Sequence, residues 1–154
     1  MVWAFIILTI VVLIASFISI KLIRRELQKV VIPFNTDFTR RKHIIIQCAS
    51  SGTNLYFIVD TGCTATQIKQ ESLNRLEYKK CRRKVTTYGV KGEGYTSILR
   101  SIEIEIEGYT FEVFCYTSNE KFNFPDGTDG LLGSDFLDRY GWVIDYKHKC
   151  IVIK

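Results

Sequence analysis

The chain has 154 residues, enough for one folded domain and little more. With 47% hydrophobic and 24% charged residues it is not a disordered chain, and with 2 prolines and 10 glycines it is neither collagen-like nor linker-rich. The formal net charge of +5 is uneven: residues 21–30 hold four basic and one acidic side chain, residues 31–154 hold 17 and 15, and so balanced a body gives no support to a nucleic-acid partner.

Residues Met1–Ile20 carry no charged side chain. Twenty helical residues span about 30 Å, the thickness of a bilayer hydrocarbon core. A cleaved signal peptide would need a basic start, a shorter apolar run and a small-x-small end. Here no Lys or Arg precedes the run, and it closes on the bulky Ser16-Phe17-Ile18-Ser19-Ile20. Residues 1–20 therefore read as an uncleaved single-pass transmembrane anchor in contact with membrane lipid. Lys21, Arg24, Arg25 and Lys29 follow it, and the positive-inside rule puts the remainder in the cytoplasm. Five cysteines with no C-x-x-C pair, and only two histidines, give no zinc-ligand spacing; free thiols agree with a reducing compartment.

Residues 21–42 read as a basic juxtamembrane connector, and a folded domain is expected over 43–154. His43–Cys48 and Leu55–Asp60 are short apolar runs, expected as strands around a turn cluster at 49–54. Gln70–Tyr78 has helical spacing, with Leu73 and Leu76 on one face. The basic run Lys79–Lys84 reads as a solvated turn, with contact to anionic lipid or nucleic acid as the other reading. Lys84–Tyr88 and Tyr95–Leu99 flank a glycine-rich hairpin tip. Ile102–Ile106 alternates strictly, as a half-buried strand does, and Gly108 turns into a strand over Tyr109–Tyr116. Leu131-Leu132-Gly133 is a short buried run; Ser134 or Asp135 then caps a helix through Tyr140 that Gly141 closes. Trp142–Tyr146 and Cys150–Ile153 form a terminal hairpin. Many short strands and one or two short helices predict a mostly β barrel or sandwich.

Asp60-Thr61-Gly62 ends the apolar strand Tyr56-Phe57-Ile58-Val59. An ionised Asp is rarely buried unless paired, so a carboxylate placed there has either a turn to cap or chemistry to do. About 70 residues later comes Asp129-Gly130-Leu131-Leu132-Gly133-Ser134-Asp135, with the glycine-rich tip between the two. In that order, Asp-Thr-Gly, hairpin tip and hydrophobic-hydrophobic-Gly segment resemble the retropepsin-like aspartic proteases, over about His43 to Lys154. Trp142-Val143-Ile144-Asp145-Tyr146 before a final strand is similar to that family's C-terminal region.

The resemblance implies a closed acid-protease barrel that supplies half an active site. One Asp-Thr-Gly in a chain of this length implies a homodimer acting on a peptide or protein, with Asp60 of each copy meeting at a two-fold axis. It implies that Thr61 braces the pair, that Gly62 lets backbone approach it, that Gly133 packs nearby, and that Asp135 is structural. It assigns a flap to Tyr88, Gly89, Val90, Gly92, Gly94 and Tyr95, whose glycines allow opening; either tyrosine can cover the site, and a plain mobile hairpin is the other reading. No metal or cofactor is called for. Cys63 stands where the family has Ala or Ser, which leaves the pH optimum open and exposes the site to oxidation. The leading expectation is a membrane-anchored aspartic endopeptidase. The alternatives are a catalytically silent peptide-binding module and a tethered structural β domain.

Overall fold

The computed structural model describes residues 2–27, 29–34, 43–88, 94–117 and 124–153. Helix α1 runs Val2–Leu27, with side chains described and exposed over residues 9–21. Among the described residues no helix is long and apolar enough to cross a membrane, and the anchor expected over residues 1–20 lies partly outside them.

The remainder is mostly β. The strands are β1 (Val30–Pro33), β2 (Ile44–Ser50), β3 (Thr53–Val59), β4 (Gln67–Ile68), β5 (Lys79–Tyr88), β6 (Gly94–Ile106), β7 (Tyr109–Thr117), β8 (Gly130–Leu132), β9 (Trp142–Asp145) and β10 (Cys150–Ile153). Two short helices, α2 (Gln70–Leu73) and α3 (Ser134–Tyr140), complete the elements. One sheet has the order β2-β3-β8-β4-β7-β6-β5, and Ala49 of β2 also pairs with Glu105 of β6. That last pairing closes six strands into a barrel and leaves β5 on the outside of β6. Closure covers the edge of β2 that a sheet would otherwise leave open to strands from other chains. Strands β1, β10 and β9 make a separate three-stranded sheet.

The barrel follows from alternation. In β6, Ile102, Ile104 and Ile106 are buried while Glu103 and Glu105 are exposed. Their partners Val113, Phe111 and Tyr109 stand opposite on β7. Phe57, Leu55, Ile46, Ile68 and Leu132 fill the same core, each contributing about 1.5–3 kcal/mol of burial. The β2–β3 and β6–β7 loops have two residues each, Ser51-Gly52 and Glu107-Gly108, all four at positive φ, as tight hairpins of the mirror-image type demand. Helix α3 is stapled to the barrel by aromatics: Phe136 lies 4.9 Å from Trp142 and 6.0 Å from Phe111, centroid to centroid.

Several elements differ from expectation. Lys79–Lys84 is strand and not turn: it is the first part of β5, with a bulge between Lys80 and Lys84. Pairing to β6 overrides the charge run, which stays largely exposed. Residues 21–42 are not simply a connector, because β1 pairs with β10 from Val30↔Ile153 to Pro33↔Cys150. The helix expected over 70–78 shortens to Gln70–Leu73, though Leu73 and Leu76 are both buried as expected. The N-cap of α3 is Gly133, without a side-chain cap, while Gly141 closes it at φ 63°.

Candidate active site

Parallel pairing of β3 with β8 sets the site. Phe57, Ile58 and Val59 stand beside Gly130, Leu131 and Leu132, so the residues that follow, Asp60 and Gly133, leave the barrel side by side. The Asp60 N–H donates to the Leu132 carbonyl at 3.0 Å, which ties the two exits together. The chain then turns: the Asp60 carbonyl accepts from Cys63 N–H at 3.2 Å, and its carboxylate accepts from Gly62 N–H at 2.9 Å. Asp60 is half-buried, and Thr61 and Gly62 are exposed. A Cβ on Gly62 would lie 3.3 Å from Asp60 Oδ1, so glycine leaves the carboxylate free to occupy its position.

The turn is held from below. Gly133 is buried against backbone; a Cβ there would lie 2.8 Å from both the Ala65 carbonyl carbon and the Cys63 oxygen. Only glycine allows that approach. Ser134 N–H donates to the Cys63 carbonyl at 2.8 Å. Thr66, fully buried, links the two segments: its hydroxyl donates to Asp135 Oδ1 at 2.8 Å and accepts from Gly133 N–H at 2.9 Å. The Asp135 carboxylate also accepts from Thr66 N–H at 3.0 Å and Phe136 N–H at 2.8 Å.

Asp129 performs a parallel task at the other end of β8. It accepts from Tyr56 N–H at 2.8 Å, from the Ser72 hydroxyl at 2.6 Å and from the Arg75 guanidinium at 2.9 Å. Thr66, Ser72 and Arg75 were invisible as site supports because each lies alone in a loop or short helix; their roles depend on partners 54 to 69 residues away. Asp129 carried a signal, since it opens the Gly-Leu-Leu-Gly run.

Cys63 is half-buried, and its thiol bonds within its own loop. It donates to the Ala65 carbonyl at 3.1 Å and accepts from Gln67 Nε2 at 3.7 Å. Burial pushes its pKa up, against a smaller lowering by the Ala65 contact. The thiol is therefore protonated at neutral pH. Tyr88, Gly94 and Tyr95 belong to the β5–β6 ladder, through the pairs Tyr88↔Gly94 and Thr87↔Tyr95. Gly89, Val90 and Gly92 lie outside the described residues. A cavity of about 370 Å³ is lined by Arg83, Glu112, Phe114, Tyr116 and Arg139 among others, and Asp60 is not part of it. Among the described residues no group of three or more His, Cys, Asp or Glu side chains could hold a metal ion.

A family model described as "gag-polyprotein putative aspartyl protease" matches residues 46–139. The fold is similar to that of a retropepsin-like aspartic protease from Rickettsia conorii, with TM-score 0.52 and 21% identity over 81% of this chain and 89% of that one. It is also similar to the retroviral protease-like domain of Ddi1 from Leishmania major, with TM-score 0.51 and 17% identity over 73% of this chain and 88% of that one. No curated protein matches the chain.

Proposed function

We propose, from the premise that the chain belongs to the gag-polyprotein aspartyl protease family, that it is a membrane-anchored aspartic endopeptidase whose two catalytic carboxylates come from two copies of Asp60. The observation that carries this reading is the exit of Asp60 beside Gly133 from a parallel strand pair, with its carboxylate half-exposed and Thr61 and Gly62 open on the surface. One chain supplies one such carboxylate, and a two-fold contact places the same residue opposite itself.

Two carboxylates a few ångströms apart cannot both ionise cheaply, so the pair shares one proton. The ionised Asp60 takes a proton from water as that water attacks the scissile carbonyl carbon. The protonated Asp60 donates to the carbonyl oxygen. Collapse of the tetrahedral intermediate sends a proton to the leaving amine and returns the pair to its shared state. The titration belongs to the pair and not to one chain. In this reading Thr61 braces the dimer, and the tip between Tyr88 and Tyr95 closes over the peptide. Residues 1–20 hold both copies in one plane, which raises their effective concentration and favours a weak dimer. The basic residues after the anchor favour a cytoplasmic protease domain.

The test is cleavage of a peptide library by the full chain in detergent or vesicles, with Asp60→Asn as control. Cleavage by the native chain that Asp60→Asn abolishes, with folding unchanged, supports the enzyme. A native chain that dimerises and binds peptides but cuts none supports a silent binding module instead.

A further inference from the structure

The net charge of the chain is concentrated in two segments of the sequence. Residues 21–34 hold four basic and one acidic side chain and residues 142–154 hold three and one, while residues 35–141 hold fourteen of each. The whole formal charge of +5 thus resides in the two segments that supply β1, β9 and β10. Those strands form one sheet; Lys29 directly precedes β1, and Lys147 and Lys149 lie in the β9–β10 turn.

That sheet has one apolar face turned away from the core. Its inner face, Ile32 and Ile151, joins the same cluster as Val59 and Leu132 beneath Asp60. On its outer face Val31, Val152 and Val143 are in register across all three strands. Val31 is 55% exposed and Val143 is 43% exposed. The β9–β10 turn carries Tyr146, 71% exposed and packed edge-on against Phe34 at 6.3 Å, and the exposed Lys147 and Lys149. Within the turn, Asp145 accepts from His148 N–H at 3.0 Å and contacts its ring Nδ1 at 2.7 Å. An apolar strip whose sheet ends in a turn with two exposed lysines matches an interfacial membrane contact, where the strip enters the headgroup layer and the ammonium groups meet lipid phosphates.

Chain length puts the bilayer within reach. Residues 21–27 extend α1 by about 10 Å beyond a 1–20 anchor, and two residues, roughly 10 Å at full stretch, then join it to β1. We propose that the outer face of the β1-β10-β9 sheet docks on the anionic lipid surface of the membrane that holds α1. This rests on the anchoring stated above and adds to it: the protease domain is seated on the bilayer through its terminal sheet, with Asp60 on the core side of that sheet.

The test uses the full chain in vesicles of phosphatidylcholine and phosphatidylserine, with lipids brominated near the headgroup. Val143→Trp adds an emission over the native background of Trp3 and Trp142, and Ile98→Trp in β6 serves as the control. Docking predicts that the emission added at position 143 is quenched and the emission added at 98 is not. Lys147→Gln with Lys149→Gln lowers the docked-to-undocked ratio roughly twenty-five-fold, about fivefold for each lysine. Quenching that survives this pair unchanged overturns the anionic-lipid assignment. A position 143 that stays open to iodide while the chain resists alkaline carbonate overturns docking and leaves the anchor standing. Release by carbonate overturns the anchor, and docking with it. Equal shielding from iodide in lipid-free detergent, with a dimer in sedimentation, assigns the face to a second copy and overturns docking as well.

Discussion

Thr66 tests whether the site is held by one buried hydroxyl. Thr66→Val replaces that hydroxyl by a methyl of similar size, so no cavity opens. It removes a hydrogen bond to the Asp135 carboxylate and leaves the buried Gly133 N–H without its acceptor. A hydrogen bond to a charged group contributes about 1.5–3 kcal/mol, and an orphaned buried donor costs about 1–3. The added valine methyl returns about 0.8 kcal/mol of burial. The net loss is about 2–4 kcal/mol, since Asp135 keeps the Thr66 and Phe136 N–H donors. Thr66→Ser keeps the hydroxyl and loses one methyl, for about 1 kcal/mol. Urea unfolding of the full chain in one detergent separates the two, through midpoints compared at a common slope. A valine variant as stable as the serine variant, or more so, refutes the claim that the hydroxyl is the link.

Gly133→Ala forces a Cβ into backbone at 2.8 Å and is expected to cost about 3 kcal/mol or more, read as a melting temperature lower by roughly 10 °C. Asp129→Ala strips the acceptor from Tyr56 N–H and the buried Ser72 hydroxyl and is expected to cost about 3 kcal/mol, whereas Arg75→Ala removes only a half-exposed ion pair and costs under about 1; chemical denaturation ranks them. Burial pushes the Cys48 and Cys115 thiols up to about 12, so native protein at pH 8 resists alkylation at both until it unfolds. Because the folded pKa is the higher one, their contribution to stability is complete below about pH 9 and falls by about 1.4 kcal/mol per thiol per pH unit as pH climbs toward 12. Denaturation midpoints of the native chain and of Cys48→Ala with Cys115→Ala across that range measure it, and parallel slopes would contradict it.

What was legible in the sequence was whatever one segment decides alone. Ile102–Ile106 announces a half-buried strand because its partners merely occupy the face it presents. Gly141 closes α3 because a left-handed residue at a helix end is a local matter. What was not legible depended on distant pairing. Val30–Pro33 is too short to stand out, and becomes a strand only because β10 lies alongside. Lys79–Lys84 has the charge of a loop and becomes strand by pairing to β6. Gln67–Ile68 is strand only because it lies between β7 and β8. The same division runs through the site: Asp60-Thr61-Gly62 and Gly133 could be picked out as motifs, whereas Thr66, whose hydroxyl joins their two segments, carries no mark of its own.

This division has a physical cause in the chemistry. Two carboxylates that share a proton must be held to a fraction of an ångström, and a loop alone does not hold that tolerance. Here the tolerance is met beneath the motif. Parallel strands fix where Asp60 leaves the barrel, Gly133 lets the second exit close against the turn, and Thr66 with Asp135 pins the two together. The Asp60 carboxylate accepts one bond within its own turn, from Gly62 N–H, and the residue stays half-exposed. That asymmetry suits the half-site proposed above: the chain constrains the carboxylate from behind and leaves its front exposed. The contrast between Thr66→Val and Asp60→Asn therefore separates scaffold from chemistry, because the first should lower stability and the second should lower cleavage alone.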